Sequence, residues 1–279
     1  IFDCLEAIAR AGFLSLEISS SREHLDYQDP EAVRRAAGEL KRLGLEARSY
    51  HAPFGSGVDL SAPDEARRKE ATRRLFQAID AAAILGAPYL VLHPGPEVES
   101  TFEPGEMHRR LEHGRVEIDR LARRCRGLGM VLLLENLLPH LPLGGAKEIL
   151  WTLGGVHAPN TGVCLDTGHA FLAGDLYTSP GRYASRLHLV HVSDNGGRED
   201  DHLPPGRGRI NWRRFLLHLR DADFQGSLVI ELSGDGEESP ERILAGGREA
   251  RRHLACCCRD NLKESPIFRE PGLPHNRPE

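Results

Sequence analysis

Residues 129–137 read GMVLLLENL, and this stretch decides the fold. Gly129 follows a long amphipathic segment and can take the left-handed backbone that ends a helix. The run Val131 to Leu134 has no polar alternation, so it suits a strand buried on both faces, as in a parallel sheet covered by helices. The run stops at Glu135. A carboxylate among so many apolar neighbours is costly to bury unless it is paired or bound to a cation.

The same unit recurs along the chain. Apolar runs stand at 14–19 (LSLEIS), 45–53 (LEARSYHAP), 89–95 (YLVLHPG), 161–169 (TGVCLDTGH), 187–194 (LHLVHVSD) and 228–233 (LVIELS). Helical periodicity covers 31–43, 64–85, 106–128, 211–222 and 240–255 between them. Gly44 and Gly86 stand where Gly129 stands, just past a helix and just before a strand, and Asn211 and Ser239 are N-cap residues. Seven strands alternating with helices predict a parallel α/β fold. A (β/α)₈ TIM barrel requires eight strands. The opening stretch IFDCLEAIARAGF reads as a helix, so the first barrel strand is expected to be missing from this chain. The barrel is expected to be one domain over residues 1–262, with a loose, Pro-rich tail over 263–279 (KESPIFREPGLPHNRPE).

Composition narrows the function. The chain has 279 residues and a net charge of -5, so no global positive field draws it to nucleic acid or an anionic membrane. No apolar run approaches the ~20 residues needed to span a bilayer. Six cysteines without a CxxC pair read as reduced thiols of a cytoplasmic protein. A Walker A loop, a GxSxG elbow, an HExxH helix and a GxGxxG turn after a strand are all missing.

In a TIM barrel the site lies at the C-terminal ends of the strands. His51, His93, Glu135, Asp166 with His169, His191 and Glu231 fall at or near that end of six consecutive strands. Imidazole and carboxylate together, without thiolate, suit Zn²⁺, Mn²⁺, Co²⁺ or Fe²⁺. Asp166 and His169 flank a turn at Thr167-Gly168 that lets both face the mouth. The polar stretch 191–212, HVSDNGGREDDHLPPGRGRINW, follows the sixth of these runs. Its Asp200 and His202 are two apart, so an extended backbone places both on one side. Gly206 and Gly208 allow a tight turn, and Arg207 and Arg209 are candidates for an anionic substrate. Asp194 and Asp201 read as solvated, or as partners that orient a histidine. Trp212 reads as the apolar anchor of the next helix.

The set His51, His93-Pro-Gly, Glu135-Asn, Asp166-Thr-Gly-His169, His191, Asp200-x-His202 and Glu231 resembles the xylose isomerase-like TIM barrels. That superfamily includes sugar-phosphate isomerases and epimerases, ketose 3-epimerases and endonuclease IV, and the resemblance runs from about residue 5 to about residue 255. Likeness to the ketose epimerases implies one divalent metal, Zn or Mn, on Glu135, Asp166, His191 and Glu231. Glu135 and Glu231 would then be the catalytic acid/base pair and His169 a substrate contact, and PGRGRINW is similar to their PGKGR segment. Likeness to endonuclease IV implies three metals: one on His51, His93 and Glu135, a second on Glu135, Asp166, His191 and Glu231, a third on His169, Asp200 and His202. The stretch ENLLPHLPLGG (135–145) departs from the endonuclease pattern, and DDHLPPGRGRINW is closer to the isomerases and epimerases. The leading expectation is therefore a metal-dependent isomerase or epimerase of a sugar, polyol or sugar phosphate. The alternative is a three-metal phosphodiester hydrolase acting on abasic-site DNA.

Overall fold

The computed structural model describes residues 1–21, 24–55, 57–98, 100–232 and 239–259. Seven parallel strands pair in consecutive order: β1 (Ser15–Ser19), β2 (Glu46–His51), β3 (Tyr89–Leu92), β4 (Val131–Glu135), β5 (Thr161–Asp166), β6 (Leu187–Val192) and β7 (Ser227–Ile230). They form a nearly closed TIM barrel. Among the described residues β1 and β7 do not pair with each other. A side-chain contact crosses near that side, from Arg48 Nε of β2 to Ser227 Oγ of β7 at 2.8 Å.

The outer layer is helical. Helices α1 (Phe2–Arg10), α2 (Pro30–Leu43), α3 (Glu65–Leu85), α4 (Pro104–Gly127) and α5 (Ala146–Gly155) follow one another around the sheet. Short α6 (Thr167–Leu172) and α7 (Ser179–Tyr183) come next, then α8 (Trp212–Asp221) and α9 (Pro240–Arg259). Helix α1 touches both α2 and α9, which closes the ring. Gly44, Gly86 and Gly129 have φ of 67°, 77° and 74°, so the predicted left-handed turn is used before β2, β3 and β4. The Asn211 side chain accepts the Arg214 N–H, capping α8.

Strand parity positions the site. Outward residues such as Leu90, Leu92, Leu132, Leu134, Val163 and Leu165 join the core beneath the helices. Inward residues Val91, Leu133, Cys164 and Leu189 form a separate buried plug, with Val229 packed against it. Side chains two apart share a face of a strand. The next inward positions toward the mouth are His93, Glu135, Asp166, His191 and Glu231. The chain thus seats a layer of ligand-type side chains on an apolar floor.

One expectation is corrected. The run 161–169 is not one strand: β5 ends at Asp166, which caps α6 by accepting the His169 N–H at 2.7 Å. His169 therefore stands in the first turn of a helix. Helices α5 to α7 also lie in stretches that periodicity left unassigned, two of them being too short to show a period. The tail 263–279 lies outside the described residues.

Candidate metal centre at the barrel mouth

The nine candidate ligands converge in three groups. His51, His93 and Glu135 form the first, Glu135, Asp166, His191 and Glu231 the second, and His169, Asp200 and His202 the third, with donor atoms in each within 4.8 Å of one another. A further combination, Glu135, Cys164 and His191, adds a thiol from the floor of the site. Burial pushes that thiol well above its ordinary pKa, so without a metal it is protonated.

Glu135 joins the first two groups. Its Oε2 lies 3.0 Å from His51 Nε2 and 3.1 Å from His93 Nε2, and its Oε1 lies 2.8 Å from His191 Nδ1. The residue is 2% exposed. Glu231 reaches the same His191 Nδ1 at 3.1 Å. In the third group, Asp200 Oδ2 is 3.2 Å from His169 Nε2 and 2.9 Å from His202 Nε2.

The far side of several rings is held by acceptors. His51 Nδ1 donates to the Ala52 carbonyl at 3.0 Å and His169 Nδ1 to the Asn136 carbonyl at 2.8 Å. A carbonyl only accepts, so these nitrogens carry a proton and Nε2 is the nitrogen that faces the group, free to bind a cation once its own proton is lost. His93 Nδ1 is held by Glu97 in the same way. Outer acceptors of this kind orient metal-binding histidines. Asp166 Oδ2 and Asp200 Oδ1 are buried without a hydrogen-bond partner. An uncompensated carboxylate oxygen at this depth fits a site built for cations. The residues present therefore fit divalent metal ions.

Asn136 fixes the β4–β5 junction. Its side chain donates to the Asp166 carbonyl at 3.0 Å and accepts the Asp166 N–H at 2.7 Å. Glu17 of β1 also enters the barrel, taking a bond from Ser49 Oγ at 2.6 Å and facing His191 Nε2 at 3.2 Å. Sequence reasoning missed Glu17. The signal was there, a carboxylate inside the apolar run LSLEIS, as for Glu231 in LVIELS.

The loop after β6 is held by Asp194, which is fully buried rather than solvated. Its Oδ1 accepts the N–H groups of Asn195 and Ile210, both at 3.0 Å. Its Oδ2 accepts Gly206 N–H at 2.9 Å and Trp212 Nε1–H at 2.8 Å. Trp212 thus anchors the loop as well as its helix. A side chain at Gly208 would lie 2.2 Å from Asp194 Oδ1, which requires glycine there. Asp194 and Leu203 also exchange backbone hydrogen bonds of 2.7 and 2.8 Å. The segment between them carries Asp200 and His202 back to His169. His202 does this with φ of 46°, not with the extended backbone expected from its spacing. Asp201 accepts the Gly196 N–H. Arg207 pairs with Glu249 of α9, and Arg209 is exposed.

Electrostatics follow from this crowding. Burial disfavours the charged imidazoles, but adjacent carboxylates outweigh it. Glu135 raises His51 to about 9, Asp166 and Asp200 raise His169 to about 10, and Asp200 raises His202 to about 9. Glu135 is held well below the carboxylate range by His191, His51 and His93 against the effect of burial. Burial pushes Asp166 up to about 6, with His169 opposing. The metal-free site therefore carries protonated histidines at neutral pH. Their stabilising effect is full below pH 6.5 and is lost as pH rises through about 9 to 10. Metal binding must displace those protons, so Zn²⁺ uptake at pH 7 is expected to release more than one proton per chain, and affinity is expected to rise with pH up to that range. Calorimetry in buffers of different ionisation enthalpy reads the release directly; a heat independent of buffer would contradict it.

Comparison with known proteins places the chain in a family. Residues 5–254 match the family described as xylose isomerase-like TIM barrel, and the chain belongs to it. It is 31% identical over 250 residues to a probable endonuclease 4 of Nitratidesulfovibrio vulgaris, covering 80% of this chain and 86% of that protein. It is 28% identical over 239 residues to protein MJ1311 of Methanocaldococcus jannaschii, covering 81% of this chain and 77% of that one. Among solved structures, a D-tagatose 3-epimerase-like protein superposes with a TM-score of 0.79 at 23% identity, covering 91% of this chain and 93% of the other. At that identity the superposition speaks for the fold. No helix among the described residues is long and apolar enough to cross a membrane.

Proposed function

We propose that this chain is a metal-dependent phosphoester hydrolase whose site takes three divalent cations. The observation that carries the reading is the bridging position of Glu135. Both its oxygens are engaged by histidines, Oε2 by His51 and His93 and Oε1 by His191. A carboxylate so committed is suited to joining two metal sites and poorly suited to shuttling a proton at a sugar carbon. Bound divalent metals would clamp a phosphate and lower the pKa of water. The protein's part is positional. Ala52, Glu97 and the Asn136 carbonyl hold the imidazoles in register, and the plug of Val91, Leu133, Cys164 and Leu189 closes the barrel below. Substrate would therefore approach the ligands from the mouth, the side away from the plug. The net charge of -5 argues for a smaller phosphoester than duplex DNA, which is usually met by a basic footprint.

A second reading, sugar or polyol epimerisation, is favoured by one feature. Glu135 and Glu231 approach the same His191 Nδ1 at 2.8 and 3.1 Å, as an acid/base pair sharing one metal site would. The test is turnover of bis(p-nitrophenyl) phosphate by protein loaded with Zn²⁺ or Mn²⁺, beside a Glu135→Ala control. Metal-dependent release of p-nitrophenolate is expected. Failure to cleave it or abasic duplex DNA, with solvent deuterium entering a ketose instead, would replace hydrolysis by epimerisation.

A further inference from the structure

A cavity of about 720 Å³ opens beside the ligand layer, between the loop after β4, the start of α4 and helix α7. Its walls include Leu138 and Leu141 from the loop, Phe102 and Met107 from the α4 side, and Tyr183 at the end of α7. Asn136 lines it too, and the same residue brackets Asp166 and holds His169. The cavity thus adjoins the site at a residue that positions two candidate ligands.

The cleft is built by a constrained loop. Leu137 N–H donates to Gly144 O at 3.1 Å, closing the loop on itself. Leu143 holds φ of 67°, and a side chain on Gly95, next to His93-Pro94, would meet Pro142 O at 2.3 Å. The loop is therefore pinned against the segment after β3, and its apolar face is preformed, as in most small-molecule sites.

Charge and hydrogen bonding narrow the occupant. No Lys or Arg is among the described residues that line the cavity, whereas two carboxylates, Glu148 and Asp175, and one imidazole, His140, are. Asp175 is paired with Arg182 at 3.1 Å. A phosphate here would face carboxylates, so the phosphate belongs at the ligand groups and another part of the substrate belongs here. Tyr183 is 2% exposed, and its hydroxyl is buried with no hydrogen-bond partner. A buried polar group left unpaired is costly, and a ligand would satisfy it.

We infer that this cleft receives the organic group of the phosphoester, and that the group is bulky, largely apolar, neutral or cationic, and able to hydrogen-bond. The inference rests on the hydrolase reading for the reaction but not for the binding. Two esters with the same leaving group separate them, methyl p-nitrophenyl phosphate and 1-naphthyl p-nitrophenyl phosphate. With metal-loaded protein the naphthyl ester is expected to show a KM at least about tenfold lower, as burying an aromatic ring should give. Leu138→Asn is expected to narrow that gap. Calorimetry with the same protein is expected to show 1-naphthylmethylamine binding, weakened by Leu138→Asn, and 1-naphthalenesulfonate binding at least about tenfold more weakly. Equal KM values for the two esters, with no heat from the amine, would overturn the inference and leave hydrolysis standing. Amine binding that Leu138→Asn weakens, with neither ester cleaved, would uphold the cleft and overturn the hydrolase reading. Equal affinity for amine and sulfonate would overturn the assigned charge.

Discussion

Glu135→Gln is expected to lower phosphoester turnover at least about 10³-fold, a loss of about 4 kcal/mol of transition-state stabilisation. Glutamine keeps the size of the side chain but removes its charge and turns one oxygen into a donor. The lost anion is the one shared by the first two ligand groups. The same substitution has a signature in the metal-free protein. Burial lowers the His51 pKa and Glu135 raises it, with a net value of about 9. Without the carboxylate the opposing effect of burial dominates, so His51 is expected to titrate near or below its ordinary value. Imidazole chemical shifts followed against pH read this without any assay of turnover. Unaltered turnover together with an unaltered His51 titration would mean that Glu135 joins nothing.

Asp194→Ala is expected to destabilise the chain by about 3 kcal/mol or more, since removing the acceptor of buried donors costs about 1–3 kcal/mol for each group left unpaired. Four donors converge on this carboxylate, from Asn195, Gly206, Ile210 and Trp212. Some would find water after the change, which is why the expected loss is well below four full penalties. At about 2–4 °C per kcal/mol for a domain of this order of size, Tm should fall by roughly 10 °C. The damage should also be selective. Asp200 and His202 ride on the loop that Asp194 ties down, while His51, His93 and Glu135 stand on or beside β2, β3 and β4. The variant should therefore lose metal from the third group before the first. Urea unfolding and metal analysis of one preparation measure both effects. A stability change under about 0.5 kcal/mol would show that the loop is held by something else.

Much of the barrel was legible because its strands are unbroken apolar runs separated by capped helices. GMVLLLENL contains the helix stop, the two-sided strand and the buried carboxylate in one stretch. The same parity rule that sends Leu132 and Leu134 toward the helices sends Leu133 and Glu135 inward. The nine ligand-type residues could be named from their strand ends and from the family resemblance. The structure brings their donor atoms within 4.8 Å of one another in three groups.

What was not legible depends on long-range contacts. Asp194 looks like any loop aspartate until its four donors, as far away as Trp212, fold around it. Glu17 is 174 residues from the His191 that it faces. The left-handed backbone at His202 carries no sequence mark as plain as a glycine would give. Helix α6 was hidden because a strand-end Asp that caps a helix has the same sequence signature as one that only ends a strand. The arginines of PGRGR were named for substrate by charge alone, and the structure pairs Arg207 with Glu249 on α9.

Three cations per chain is the central claim, and counting the metal tests it most directly. Protein loaded with Zn²⁺, freed of excess metal and analysed by plasma mass spectrometry should hold three ions per chain, one for each of the ligand groups built on Glu135, His191 and Asp200. A ratio of one, unchanged by removing His51 or His202, would place the metal on Glu135, Asp166, His191 and Glu231 alone and contradict the three-metal site.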